Sequence, residues 1–217
     1  MNEETMQFVK ELAKKPEVSG IILFGSWARG NNHDGSDVDL IVIQEQGYRR
    51  AVEHYNAQTF EIIYTTENDA LQFWSSHKDD AAELWSVAKI IHDKDGSLTR
   101  IKLEVEKMLS TGKSMLTQDE IAHLEFDVRD TVKYILRIMK NEPENANMIL
   151  NNKIFSLTKI FFDIRQIWLP APKQRLEAIK IVSTEAYELL KKFYHPHTEI
   201  EEKIAITEKL IPIVFLN

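Results

Sequence analysis

The sequence of 217 residues contains no cysteine, few glycines and no long uninterrupted apolar run. Without cysteine the chain can form neither a disulfide nor a cysteine-ligated zinc site, and a cytoplasmic location is the natural expectation. The most apolar stretch, around residues 160–169, is interrupted by Asp163, Arg165 and Gln166, so no membrane-spanning helix is predicted. The N-terminal Met-Asn-Glu-Glu lacks the basic and apolar regions of a signal peptide.

Basic residues are outnumbered by acidic ones, 27 to 34, which gives a formal net charge of −7. A protein that binds nucleic acid in general needs a basic surface to neutralise phosphates. The charge balance therefore argues against general nucleic-acid binding. It favours a small substrate, with a cationic one among the candidates.

One stretch of the sequence predicts a turn that binds phosphate. Residues 21–24 form a short apolar run that is typical of a buried strand. Gly25 and Ser26 end this run, and residues 27–29 predict the first turn of a helix. Backbone N–H groups at such a strand-to-helix turn point outward at the positive end of a helix dipole, where phosphate binds.

A second strand, predicted over residues 37–43, carries a pair of aspartates. Asp37 and Asp39 are two residues apart, so their side chains leave the strand on the same face. Two neighbouring carboxylates repel each other unless a cation stands between them, and oxygen ligands select Mg²⁺ or Mn²⁺. We predict a metal site formed by Asp37 and Asp39.

The Gly-Ser pair, followed eleven residues after the serine by Asp-x-Asp, resembles the signature of the DNA polymerase β-like nucleotidyltransferase superfamily. The flanking residues are similar to those of its small bacterial members, which include the minimal nucleotidyltransferases and the aminoglycoside and lincosamide adenylyltransferases. The resemblance implies an α/β domain with a mixed sheet flanked by helices. It also implies an NTP substrate, expected to be ATP, from which an AMP group passes to an acceptor.

The resemblance further implies roles for individual residues. Ser26 is expected to contact the β- and γ-phosphates, and Arg29 is expected to add a charged contact if it faces the cleft. A neighbouring strand in the family carries a third acid of the metal site. Glu61, on a strand predicted over residues 59–64, stands where that acid is expected. The alternative is that Glu61 lies on an edge strand and faces water.

The composition changes after Gly96, since a single glycine, Gly112, follows it and the apolar spacing becomes helical throughout. We therefore predict a nucleotidyltransferase domain over 1–96 and an all-α helical bundle over 97–217. By resemblance, the bundle forms the acceptor-binding domain.

Local patterns add four predictions about individual helices. Residues 48–55 predict a short helix, and Ser97 is expected to cap the first helix of the second domain. Thr117 and Glu120 match a capping box. One helix is predicted to contain both Leu176 and Phe193.

Three carboxylates near the start of the capped helix are candidates for a general base. In kanamycin-type relatives a carboxylate on an early helix of the second domain takes the proton of the acceptor. Glu125, Asp127 and Asp130 are within reach of one another along the helix, and Asp127 and Asp130 share the stripe away from the apolar seam. We favour Asp127 and Asp130.

These observations support a Mg²⁺-dependent enzyme that transfers AMP to a hydroxyl group of a small molecule, with antibiotics as one acceptor class. The alternative is a protein-directed nucleotidyltransferase or an antitoxin-type partner that AMPylates another protein. A third hypothesis is a binding module without catalysis, which the intact acidic residues disfavour. The acceptor, the preferred NTP and the oligomeric state stay open.

Overall fold

The computed structural model describes residues 3–215 of the protein. The chain divides into two compact units between Thr111 and Gly112. We call them the sheet unit and the helical unit.

The sheet unit is built on a five-stranded sheet with the strand order β3-β4-β2-β1-β5. Strands β2 and β4 are parallel, and the other neighbouring pairs are antiparallel. The mixed sheet confirms the predicted fold class of this region. Its strands are β1 (Val18–Phe24), β2 (Val38–Gln44), β3 (Arg49–Tyr55), β4 (Gln58–Thr65) and β5 (Lys89–Asp93).

Helices cover both faces of this sheet, because the central strands are apolar on both sides. On β2, Val38, Leu40 and Val42 pack into one core, while Ile41 and Ile43 pack into a second core on the opposite face. The first core includes residues of α1 and α2, and the second includes residues of α3, α4 and α5. These helices are α1 (Glu3–Ala13), α2 (Gly25–Arg29), α3 (Glu67–Ser76), α4 (Lys78–Trp85) and α5 (Ser97–Ser110).

The prediction of a helix over residues 48–55 is wrong, because this segment forms strand β3. It pairs with β4 from Arg49 opposite Tyr64 to Tyr55 opposite Gln58. The two strands are joined by a two-residue turn at Asn56 and Ala57, where Asn56 has a positive φ of 52°. Asparagine tolerates this conformation, and it is a common residue in short hairpin turns. The hairpin makes β4 an internal strand, so the alternative of an edge position for Glu61 is also wrong.

Helix α5 begins differently from the prediction. Ser97 lies inside the helix, and the carboxylate of Asp93 accepts the backbone N–H groups of Leu98 and Thr99 at 3.1 and 3.0 Å. Asp95 accepts the N–H of Ser97, and this hydrogen bond lowers the pKa of Asp95. The helix contributes Leu98 and Ile101 to the core beneath the sheet. The predicted boundary after Gly96 therefore lies one helix before the division seen in the structure.

The helical unit consists of helices packed around one apolar core, as predicted for the second half of the chain. The capping box at Thr117 is present, since its hydroxyl accepts the N–H of Glu120 and the Glu120 carboxylate accepts the N–H of Thr117. The helices in the described residues are α6 (Gln118–Ile138), α7 (Pro143–Ile164), α8 (Pro172–Val182), α9 (Thr184–Phe193) and α10 (Ile200–Phe215).

The prediction of a single helix that contains both Leu176 and Phe193 is wrong. This segment forms two helices, α8 and α9, separated by Ser183. The Ser183 side chain accepts the N–H of Ala186 at 3.1 Å and so caps α9.

Among residues 3–215, no helix combines the length and the apolar character that crossing a membrane requires.

Candidate active site

Three carboxylates of the sheet unit converge where the start of β2 lies beside β4. Asp39 and Glu61 are directly opposite each other in the parallel pairing of these strands, and Asp37 immediately precedes β2. One carboxylate oxygen from each of the three residues lies within 4.8 Å of the other two. Asp37 is exposed, while Asp39 and Glu61 are half-buried. The three acids that the sequence proposed as metal ligands are therefore brought together.

Gly25 lies directly against the Asp39 carboxylate. A Cβ atom added at Gly25 would be 1.8 Å from Oδ2 of Asp39, well inside van der Waals contact. Gly25 also has a positive φ of 67°, which disfavours any L side chain. Because Phe24 is paired with Asp39 across β1 and β2, the Gly-Ser turn and the Asp-x-Asp strand meet at this point. The adjacent Ser26 is half-buried in the first turn of α2.

The residue before Asp37 is held by two side chains from different elements. The carbonyl oxygen of Ser36 accepts a hydrogen bond from Nε1 of Trp27 at 3.3 Å and another from Nε2 of Gln58 at 2.8 Å. The Ser36 hydroxyl accepts the N–H of His33 at 3.0 Å, and Ser36 is itself buried. These contacts fix the backbone where the exposed Asp37 side chain begins.

Arg50 of β3 forms an ion pair with Glu61. Nε of Arg50 donates to Oε1 of Glu61 at 2.7 Å, and Nη2 contacts the same oxygen. The hydrogen bond and the charge of Glu61 raise the pKa of the Arg50 guanidinium above its ordinary value, and the charge of Asp39 contributes in the same direction. The negative charges of Glu61 and Asp39 therefore both act on the Arg50 side chain.

Arg29, which the sequence proposed as a phosphate contact, forms an ion pair with Glu83 of α4. The two side chains are only 14% and 21% exposed. A largely buried ion pair depends on both partners, since loss of one leaves a charge that is poorly solvated. In this structure Arg29 therefore connects α2 to α4, and its contact with nucleotide stays a prediction.

In the helical unit, two of the three candidate bases form ion pairs with nearby cations. Nζ of Lys153 on α7 is 2.7 Å from Oδ2 of Asp127, and Nη2 of Arg129 is 2.6 Å from Oε1 of Glu125. Asp130 is exposed. The structure thus places these carboxylates along α6 without gathering them into one cluster.

A groove of about 720 Å³ lies between α6 and α7 within the helical unit. Asp127 lines it, and Asp163 on its wall is held by Lys113, with 2.6 Å between Oδ1 and Nζ. Most of its polar side chains are acidic or imidazole groups, with one lysine among them. Its lining includes Asp119, His123, Asp127, Lys159 and Asp163.

Comparison with known proteins agrees with this geometry. Residues 5–107, which lie within the sheet unit, match the family model described as a nucleotidyltransferase domain. The predicted superfamily and the prediction of a nucleotidyltransferase are confirmed by this match.

The fold is also similar to a solved structure described as a nucleotidyltransferase-like protein from Exiguobacterium sibiricum. The similarity covers 98% of this chain and 73% of that chain, with a TM-score of 0.52 and 15% sequence identity. At this identity the likeness concerns the fold alone. A search of curated proteins gave no match.

Sequence reasoning missed three residues that surround the carboxylates. Arg50 lies in the segment 48–55 that was predicted to be a helix, and the one local sign of a hairpin is Asn56, a residue that favours turns. Trp27 and Gln58 meet at the Ser36 carbonyl from positions 31 residues apart in sequence. No local pattern predicts such a contact.

Proposed function

We propose that the protein transfers a nucleoside monophosphate, expected to be AMP, from an NTP to a hydroxyl group of a small molecule, with Mg²⁺ or Mn²⁺ as cofactor. The observation that carries this proposal is the convergence of Asp37, Asp39 and Glu61 within 4.8 Å beside the Gly25–Ser26 turn. The family match supports nucleotidyl transfer as the class of reaction. The acceptor, the base and the metal are our inference.

The chemistry of the three side chains fits a divalent metal. All of them offer carboxylate oxygens, the ligand type that Mg²⁺ and Mn²⁺ prefer. Their negative charges repel one another across a half-buried site, and a divalent cation offsets that repulsion. When bound, such an ion supplies Lewis-acid activation of a phosphoryl oxygen and acidifies a hydroxyl group.

The chain contributes binding and orientation around these ligands. The close approach of Gly25 leaves room for the Asp39 carboxylate in its observed position. Trp27 and Gln58 hold the Ser36 carbonyl and thereby set the starting point of Asp37. In the reaction, the acceptor oxygen attacks the α-phosphorus, the bond to the β-phosphate oxygen breaks, and pyrophosphate leaves. By resemblance, Ser26 contacts the β- and γ-phosphates.

The groove between α6 and α7 is our candidate for the acceptor-binding region. Its volume of about 720 Å³ is in the range of small-molecule sites. Asp119 lines this groove, while Asp127 and Asp163 are already paired with Lys153 and Lys113, so the preference for a cationic acceptor rests on the net charge of −7. Asp127 lines this groove, and its carboxylate would take the proton of the acceptor hydroxyl. Asp130 stays the second candidate base.

A protein acceptor is the second candidate, since α6 also carries exposed apolar side chains. Phe126 is 66% exposed and Leu136 is 48% exposed. A contiguous exposed apolar patch is a common feature of protein contacts, and these side chains make α6 the helix to test for one. A cytoplasmic location, predicted from the lack of cysteine, is compatible with either acceptor.

The proposal is tested with NTPs labelled at the α-phosphate, incubated with Mg²⁺ and either a panel of aminoglycosides and lincosamides or a cell extract. We expect label on a small molecule, release of pyrophosphate and loss of both in Asp39→Asn. Label that appears only on protein would support the second candidate. Metal-independent transfer, or transfer that survives in Asp39→Asn, would contradict the proposed site.

A further inference from the structure

A positive charge already stands against one of the three carboxylates. The Arg50 guanidinium extends from β3 to the Glu61 carboxylate on β4, with 2.7 Å between Nε and Oε1. Glu61 in turn lies opposite Asp39 in the sheet, and their carboxylate oxygens are within 4.8 Å of each other. Arg50 therefore binds the group that the proposed function assigns to the metal.

A guanidinium and a divalent cation compete for the Glu61 carboxylate. They repel each other at short distance, and a metal ion bound by Glu61 would lie close to the Arg50 guanidinium that already contacts this carboxylate. Arginine stays protonated in proteins, so a change of pH does not remove the competition. The Arg50 side chain is 63% exposed, which allows it to leave Glu61 without disturbing the apolar core.

We propose that Arg50 is an internal counter-ion that makes metal binding at Asp37, Asp39 and Glu61 depend on the nucleoside triphosphate. The inference rests on the proposed function, because it takes these three residues as metal ligands. Without a triphosphate, a metal ion has to displace the guanidinium from Glu61. With a triphosphate, phosphate oxygens provide the guanidinium with a bidentate partner and provide the metal with additional ligands.

The consequence is a positive coupling between metal and nucleotide. Metal alone binds weakly, because its binding breaks the Arg50–Glu61 ion pair and the stabilising free energy of that pair is lost. Metal together with triphosphate binds more tightly, and by linkage the triphosphate also binds more tightly in the presence of metal. This coupling disfavours loading of the site by free metal ions in the absence of substrate.

Arg49 provides a matched control on the same strand. It carries the same charge at the neighbouring position, and its side chain is 61% exposed. Alternation along β3 turns it to the opposite face, where its guanidinium carbon is 4.3 Å from the ring centroid of Tyr64. Neutralising Arg49 changes the net charge as much as neutralising Arg50, without touching Glu61.

The experiment measures Mn²⁺ affinity by electron paramagnetic resonance of the free ion, with and without a non-hydrolysable ATP analogue. Wild type is compared with Arg50→Gln, Arg50→Ala, Arg50→Lys and Arg49→Gln, and circular dichroism checks the fold of each. We expect Arg50→Gln and Arg50→Ala to bind Mn²⁺ alone about three- to fivefold more tightly, the scale of a partly exposed ion pair. The gain in affinity produced by the analogue should fall by at least the same factor.

Arg50→Lys and Arg49→Gln should stay within about twofold of wild type, since one keeps the charge at the site and the other leaves Glu61 paired. Equal or weaker Mn²⁺ binding in Arg50→Gln and Arg50→Ala would overturn the inference and leave the proposed function standing. The same would follow if Arg49→Gln tightened binding equally. Wild type that binds no Mn²⁺ even with the analogue would overturn the proposed function as well.

Discussion

The two units hold their carboxylates in different ways. In the sheet unit, strand pairing forces Asp39 and Glu61 together and adds Asp37 at the end of β2. In the helical unit, Glu125 and Asp127 are separated along α6, and each has its own cation nearby. Glu61 is paired with Arg50, but the three clustered carboxylates still repel one another, so a bound cation would stabilise them, whereas the separated and paired carboxylates of α6 need no ligand. From this contrast we expect metal binding in the sheet unit rather than on α6.

The first prediction, with the largest expected effect, concerns the two aspartates of the sheet unit. Asp37→Asn and Asp39→Asn should each abolish detectable nucleotidyl transfer, because they weaken binding of the metal. Stabilisation of the transition state by a bound metal is worth several kcal/mol, and each 1.36 kcal/mol changes the rate about tenfold. Steady-state transfer of labelled NMP measures the effect. Asp34→Asn, an exposed residue in the same loop, is the matched control and should keep the activity of wild type. Turnover near wild type in either of the first two variants would contradict the metal site.

The second prediction concerns Glu61. Glu61→Gln should lower the rate of transfer by about 10³-fold, because the amide cannot replace a charged metal ligand. Glu53→Gln is the control, since Glu53 lies on the other face of the same hairpin and an amide can still accept from the Tyr64 hydroxyl. If Glu61→Gln is as active as Glu53→Gln, another acid completes the site.

The third prediction concerns the candidate general bases of the helical unit. Asp127→Asn should slow single-turnover transfer by about 10²-fold, the lower end of the range for a general base, because a metal-bound hydroxyl is already acidified. NTP affinity, measured separately, should not change. Asp130→Asn and Glu125→Gln are measured alongside. If all three variants transfer at the wild-type rate, the helical unit does not supply the base.

The fourth prediction compares Gly25, the first residue of α2, with Gly30, which follows the last. Gly25→Ala and Gly30→Ala both place a side chain at a positive φ, 67° and 77°, and each should lose about 1 to 2 kcal/mol of stability. Gly25→Ala also drives a methyl group into Asp39, whereas a Cβ at Gly30 has nothing within 4 Å. We therefore expect only Gly25→Ala to lower activity, by about 10- to 100-fold. Urea unfolding and turnover separate the two effects, and equal activity in both variants would count against the Gly25–Asp39 contact.

Sequence spacing alone could bring together the residues of the candidate site that lie within one short segment. Gly25, Asp37 and Asp39 lie within one strand-turn-strand segment, so their proximity follows from spacing and strand alternation. Glu61 was placed by resemblance, and the parallel pairing of β2 with β4 agrees with that choice.

The remaining features depend on contacts between distant parts of the chain. The Arg50–Glu61 pair requires the β3–β4 hairpin, which the helix prediction for 48–55 concealed. Lys153 reaches Asp127 from 26 positions away, on another helix. Helical periodicity specifies which face a residue takes, but it does not specify the partner that packs against that face.

The most direct test of the metal site is a crystal structure with Mn²⁺ and a non-hydrolysable ATP analogue, with data collected at the manganese absorption edge. We predict an anomalous peak coordinated by the carboxylates of Asp37, Asp39 and Glu61, at about 2.0 to 2.3 Å from their oxygens. The guanidinium of Arg50 should then have left Glu61. Bound analogue with no anomalous peak at these three residues, or with Mn²⁺ coordinated elsewhere, would contradict the account.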